Sequence, residues 1–348
     1  MAGARGYRSY RGRGSKGKIA LAVVLILVIV ASVIFIRLQD YLVYDESGRP
    51  HLSLPEEDVQ QEQPQEQENV NLVIQETPAQ AVRAMEVADT PLTGWDAAML
   101  TGGTYTGHEC NAVAVTMKDA AGHVYYDSAS AVSGAVHTQS GTAGALTALL
   151  GSDTHAIARL SCFHDPIAAN SDVEGMGLKN TGGYIFYDGN NSQWLDPAKP
   201  AARQYLCSLA KELADMGFDE ILLTDVSYPT EGKLNKIAYG DTALEENLAA
   251  FLDEMQAALA PYDVTLSVEL PAQVITQGSD ASSGLTLAQV APRVDRIYAA
   301  ASAADAASLA DRVSQAAADT DFAVELTATD TPPQEGGWLL PLQGGASS

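Results

Sequence analysis

Cysteine is scarce and unpatterned: Cys110, Cys162 and Cys207 cannot all pair within one chain, and none lies in a CxxC. That argues against a disulfide framework or a cysteine-built zinc site and leaves buried thiols as the expectation. His51, His108, His123, His137, His155 and His164 show no HExxH spacing, and the serines around His137 have no GxSxG elbow. No metal, no cofactor and no serine triad is expected. Basic residues are also few: 20 Lys and Arg face 44 Asp and Glu, for a net charge of −24. Every charged residue before Arg37 is basic, so the rest of the chain is more acidic still. Such a surface repels nucleic acid, and no nucleic-acid partner is expected. No internal repeat of solenoid period is evident.

One long apolar run breaks this scarcity. Ile19 to Ile36 contains no charge and only Ser32 as a polar residue, between Lys18 and Arg37. At about 1.5 Å per residue it reaches roughly 27 Å, close to the hydrocarbon thickness of a bilayer. The basic flank before it and the acidic chain after it place the N-terminus in the cytoplasm and the remainder outside. A cleaved signal peptide is the alternative, but its apolar region is usually shorter and ends in a small-x-small site. The reading is a single-pass signal anchor: residues 1–18 a basic tail, 19–36 the span, 37–80 an acidic Gln/Glu/Pro-rich linker, 81–342 a globular domain and 343–348 a tail. Pro55 to Glu68 has almost nothing to bury and reads as a solvated tether.

From Val82 onward short apolar runs alternate with helical patterns. Strands are expected at Val82–Val87, Asn111–Lys118, His155–Phe163, Phe218–Val226, Thr265–Leu270, Val294–Ala300, Phe322–Ala328 and Trp338–Leu342. Between them, Pro200–Met216 puts Leu206, Leu209, Leu213 and Met216 on one face and stops at Gly217. Asp241–Leu259 does the same with Leu248, Phe251, Leu252 and Met255, and Pro261 ends it. Ser140–Leu150, Leu285–Ala291 and Asp305–Ala318 are weaker helical patterns, and Thr329–Gly337 is too short for a helix. Regular alternation predicts parallel strands with right-handed crossovers. Eight such units fit an α/β fold of the (β/α)8 TIM-barrel type. An open doubly wound sheet competes, but no glycine-rich loop follows the first strand.

The most informative stretch is Gly217–Leu234, GFDEILLTDVSYPTEGKL: a helix stop, a buried strand and a polar loop. Parallel α/β folds place their chemistry at that end of a strand, here at Thr224, Asp225, Ser227 and Tyr228.

The segments Asn111–Ser128, Ala156–Pro166, Trp194–Pro197, Gly217–Tyr239 and Gly336–Leu342 resemble, in order, the landmarks of the bacterial putative glycosyl hydrolase domain family, distantly similar to the α-amylase type of barrel. The resemblance spans roughly residues 80 to 342 and implies a TIM barrel acting on carbohydrate, a polysaccharide or cell-wall glycan. In that family the fourth strand ends in an Asp followed by Tyr-Val-Arg-Phe-Pro. Laid on it without gaps, Thr224 takes the acidic position and Asp225 the tyrosine's. A shift of one residue changes the face of a strand, so Asp225 reaches the barrel mouth only if the strand stops before Thr224 or a bulge intervenes. The family's Ser-Ala-Asp appears as Ser267-Val268-Glu269, and its polar segment after the sixth strand has become the alanine run Ala299–Ala306.

Glycoside hydrolysis uses two carboxyl groups, about 5 to 5.5 Å apart for retention or roughly 6.5 to 9.5 Å for inversion. The expected pair is Asp225 as nucleophile or base and Glu269 as acid, with Asp119, Asp165 and Glu325 as further carboxyls near strand ends. The alternative is that Asp225 serves loop amides and Glu269 pairs with Lys118 or Arg159. Substrate contacts are expected from Lys118, Asp119, Arg159, His164, Asp165, Tyr187, Trp194 and Tyr228. Tyr184, Phe186, Tyr187 and Trp194 cluster in one long loop, whose Gly182, Gly183 and Gly189 suit a lid. These rings stack on sugars or seal the loop. A barrel that has lost catalysis and only binds or scaffolds glycan is the second reading.

Overall fold

The computed structural model describes residues 81–87, 108–139 and 141–341, and the backbone of the short strands Leu42–Tyr44, Pro50–Leu52 and Thr104–Tyr105. The expected anchor at 19–36 lies outside these residues, and no helix among them is long and apolar enough to cross a membrane. Two compact units, 1–75 and 76–348, make up the chain. In the first, Leu42–Tyr44 pairs antiparallel with Pro50–Leu52 within the expected linker.

The second unit holds eight parallel strands: β1 Arg83–Val87, β2 Ala112–Lys118, β3 His155–Ser161, β4 Glu220–Thr224, β5 Thr265–Glu269, β6 Arg296–Ala300, β7 Asp321–Glu325 and β8 Gly337–Pro341. They close in sequence order, β8 pairing back onto β1. The expected eight strands are all present, and the closure decides for the barrel over the open sheet. Period-two alternation divides each strand. Ala84, Ala112, Ala114, Ile157, Leu222, Tyr298, Ala323 and Leu339 form one buried cluster inside the barrel. Their neighbours, such as Val113, Val115, Ala158, Leu223 and Val268, belong to the larger core beneath the helices. Within this cluster the alanines leave room for Tyr298, Leu222, Ile157 and Leu339, so small and large side chains fill the interior together.

Around the strands run α1 Thr142–Leu150, α2 Pro166–Ser171, α3 Pro200–Met216, α4 Leu244–Leu259, α5 Ala272–Gln277, α6 Leu287–Val290 and α7 Ala306–Ala316. In α3, Pro200 opens the first turn, where its missing N–H costs nothing, and Gly217 closes the helix at φ +98°. Leu206, Leu209 and Leu213 are buried, and α3 packs against α4 through Phe251, Leu252 and Met255 of the same core. The helix expected over 285–291 is interrupted. Leu285–Thr286 pairs with Ser279–Asp280, and the helix after it shortens into a 3-10 turn at Ala291–Arg293, where Pro292 removes a donor.

At the amino-terminal end of the barrel, the fully buried Glu220 binds Ser267 Oγ at 2.5 Å, Tyr298 Oη at 2.9 Å and His155 Nε2 at 2.9 Å, and pairs with Arg296. These four partners reach it from β3, β5 and β6, so one carboxylate ties neighbouring strands at the floor. Burial opposes its ionisation, but the His155 hydrogen bond and the Arg296 charge outweigh that and hold it below the ordinary carboxylate range.

Candidate active site

Strand alternation carries charge to the carboxyl end of the barrel. Glu86 follows the inward Ala84, Arg159 follows Ile157, Thr224 follows Leu222 and Glu325 follows Ala323, each two residues on. Glu269 stands two residues beyond the fully buried Ser267. Arg159 is the hub. Its guanidinium lies 2.5 Å from Glu86, 2.7 Å from Glu269 and 3.6 Å from Glu325, carboxylates from β1, β5 and β7. Burial works against its charge, but Glu325, Glu86 and Glu269 more than compensate, so it stays protonated.

One cation faces too many carboxyls. Burial above all, with repulsion from Glu269 and Glu86, raises Glu325 to about 8 against the opposing charge of Arg159. Its Oε1 is buried without a hydrogen-bond partner. Glu269 is also pushed up, by burial first and then by Asp225 and Glu86 against Arg159. A cleft of about 500 Å³ opens here between Glu86, Arg159, Ala300, Ser302, Glu325 and Asp330.

Asp225 meets neither expected condition, a strand that stops before Thr224 or a bulge, yet its side chain still turns. β4 ends at Thr224, and Asp225 adopts φ +52°, a left-handed conformation that Asp tolerates better than most residues. The backbone ladder continues through the kink: Cys162 N donates to Thr224 O and Phe163 N to Asp225 O. The reversal brings Asp225 Oδ2 to 2.6 Å from Ser161 Oγ and 3.3 Å from Thr224 Oγ1. Ser161 stands two residues beyond Arg159 on β3, so Asp225 reaches the arginine's side of the barrel and its charge is felt by Glu269.

The other expected site residues are dispersed. Lys118 and Asp165, expected at the ligand surface, are fully buried in a mutual ion pair at 3.0 Å. Lys118 also donates to Ser161 O, and Asp165 caps α2 by accepting from Ala168 N. A register shift in β2 between Thr116 and Lys118 accompanies this burial. Asp119 holds its own turn, accepting from Ala121 N, His123 N and Tyr125 Oη. Although burial raises it, the Tyr125 and His123 hydrogen bonds leave it below the usual range. Tyr228 is buried, with its hydroxyl 3.0 Å from Asn247 Nδ2, so it is a packing residue and not an exposed contact. Trp194 is also buried: His164 stacks on it at 4.5 Å and Asp188 accepts from its Nε1. His164 meets Ser192 Oγ at 2.8 Å. Only Tyr184 and Tyr187 of the aromatic cluster are exposed. The loop that holds them is stitched by bridges at His164–Trp194, Gly177–Leu195, Lys179–Ile185 and Asn180–Ile237. Glu86 was missing from the expected set. Its signal was a carboxyl in phase with Ala84 at the end of an apolar strand.

Residues 104–301 match the family model described as "Putative glycosyl hydrolase domain". The chain belongs to this family. No curated protein matches it. Among solved structures, the glycoside hydrolase domain of PgaB (BpsB) from Bordetella bronchiseptica matches with a TM-score of 0.50 at 15% identity, over 75% of this chain and 93% of that one. A hypothetical protein from Ruminiclostridium thermocellum is 28% identical over 45% of this chain and 82% of its own, with a TM-score of 0.41. The Bordetella likeness is one of fold. The family match ends at Ala301, so Glu325 and β8 lie beyond it.

Proposed function

We propose that this barrel hydrolyses a polysaccharide or cell-wall glycan, with Asp225 as nucleophile or base and Glu269 as acid. One observation carries the reading: the left-handed turn at Asp225 returns a carboxylate to Ser161, in electrostatic contact with Glu269, although the family's acidic position holds Thr224. Glu269 is raised toward the range in which a carboxyl can donate a proton, as an acid must. Arg159 limits the repulsion among Glu86, Glu269 and Glu325, and Glu325 raised to about 8 keeps one of the carboxyls neutral near pH 7. In this reading residues 19–36 anchor the chain in a membrane, with the barrel outside the cytoplasm.

A second reading has a specific observation behind it. Arg159 lies 2.7 Å from Glu269, and an acid held in an ion pair gives up its proton role. In that reading the barrel binds glycan without cleaving it. Full-length protein incubated with storage and cell-wall glycans, scored for both binding and released reducing ends, separates the two. Release supports hydrolysis; binding without release supports the receptor.

A further inference from the structure

The loops after β3 and β4 join on the carboxyl face of the barrel. Thr181 N donates to Lys236 O, Ala238 N donates to Lys179 O, and Gly232 packs so closely on Gly189 that a Cβ there would lie 2.7 Å from the Gly189 nitrogen. Between them lies a cleft of about 310 Å³ lined by Asn180, Thr181, Phe186, Tyr187, Lys233 and Lys236. Its composition runs against the rest of the molecule. In a chain of net charge −24, two exposed lysines share one cleft, and neither makes an ion pair among the described residues. The nearby Lys179 is spent on Glu174, with both contacts at 2.8 Å. Asp188 and Glu231, the adjacent carboxylates in these loops, take hydrogen bonds from Trp194 Nε1 and Asn190 Nδ2. Tyr187 beside the lysines is 48% exposed and Thr181 adds a hydroxyl, whereas the Asn180 amide holds the loop, accepting from Gly182 N and Tyr184 N and donating to Ile185 O.

An exposed ring, a hydroxyl side chain and two cations outside any ion pair suit a sugar that carries a negative group. The ring gives the sugar an apolar face to lie on, and the ammonium groups meet the charge. We propose that this cleft is an anion-selective glycan subsite, taking a sugar with a carboxylate or phosphate substituent. The acidic mouth around Glu86, Glu269 and Glu325 disfavours continuous negative charge, so the ligand carries such groups at intervals. The inference rests on the reading that the chain binds glycan, and it does not require that the chain cleaves it.

Binding of the full-length chain to two polymer pairs tests it: a highly methyl-esterified pectin that keeps scattered free carboxylates against its fully methyl-esterified form, and a phosphomannan against its dephosphorylated form. The charged member of at least one pair should bind better at low salt, and the pair that responds identifies the anionic group. Lys233→Gln with Lys236→Gln should weaken that binding on the order of tenfold and leave the neutral polymers unchanged. Asp225→Asn with Glu269→Gln should keep the preference. If neutral polymers bind and charge makes no difference, or the lysine variant retains the preference, the subsite is overturned while glycan binding stands. If no polymer binds at all, the glycan reading itself fails.

Discussion

Asp225 Oδ2 lies 2.6 Å from the hydroxyl of Ser161, across the β3–β4 ladder, because Asp225 itself sits at φ +52°. An extended residue at 225 would follow the strand's alternation and point its side chain away from the face that Thr224 and Leu222 share. The site thus depends on one unusual backbone angle.

That dependence is measurable. Asn tolerates the left-handed region about as well as Asp, whereas Ala does not. Asp225→Asn should unfold in urea within about 0.5 kcal/mol of wild type, and Asp225→Ala should lose about 1 to 2 kcal/mol. Equal stability of the two variants would contradict a strained turn.

Glu325 should make stability fall as pH rises. Its folded value, about 8, is above that of an unfolded carboxyl, so the native state holds the proton more tightly. The contribution is complete below the unfolded value near 4.5 and is lost as pH climbs to about 8. Glu325→Gln cannot ionise, so its stability should change less over that window, and at pH 8 it should exceed wild type by on the order of a few kcal/mol. Parallel pH profiles for the two proteins would refute this.

The floor of the barrel responds in the opposite sense. Glu220 is held below its ordinary value, so its contribution is present above the unfolded value and lost as pH falls through the folded one. Glu220→Ala leaves Arg296 with only Asp321, at 3.4 Å, and strands the hydroxyls of Ser267 and Tyr298. A loss of roughly 3 to 5 kcal/mol is expected in chemical denaturation. A loss under about 1 kcal/mol would mean that the network does not brace the strands.

The junction of the two loops can be probed at glycine. Gly232 combines φ +95° with backbone 2.7 Å from any added Cβ, so Gly232→Ala should cost on the order of 1 to 3 kcal/mol. Gly240 has open space around it, and Gly240→Ala serves as the control with little change. Similar thermal shifts in both would show that the close approach at Gly189 is unimportant.

Much of this fold is legible in the residues. Buried parallel strands read as apolar runs such as Ile221-Leu222-Leu223, and helix α3 shows its proline start, leucine stripe and glycine stop, so those boundaries follow from local chemistry. Hydrophobic pattern also gives the inward phase of Glu86, Glu269 and Glu325. The partners are less legible. That Arg159 meets three carboxylates depends on closing β8 onto β1, a contact between the first and last strands of the barrel. The burial of Lys118 follows from an irregularity in β2 that its composition does not announce. Asp225 is the sharpest case: a one-residue shift in sequence left its face open, and a single positive φ decides its direction.

The measurement that bears most directly on the central claim is release of reducing ends from a bound glycan by wild-type protein, Asp225→Asn and Glu269→Gln, with binding followed in parallel. The account predicts that wild type releases ends and that each variant binds the glycan but loses at least about a hundredfold in rate. Binding by all three proteins, with no release by wild type or with equal release by the variants, would contradict it.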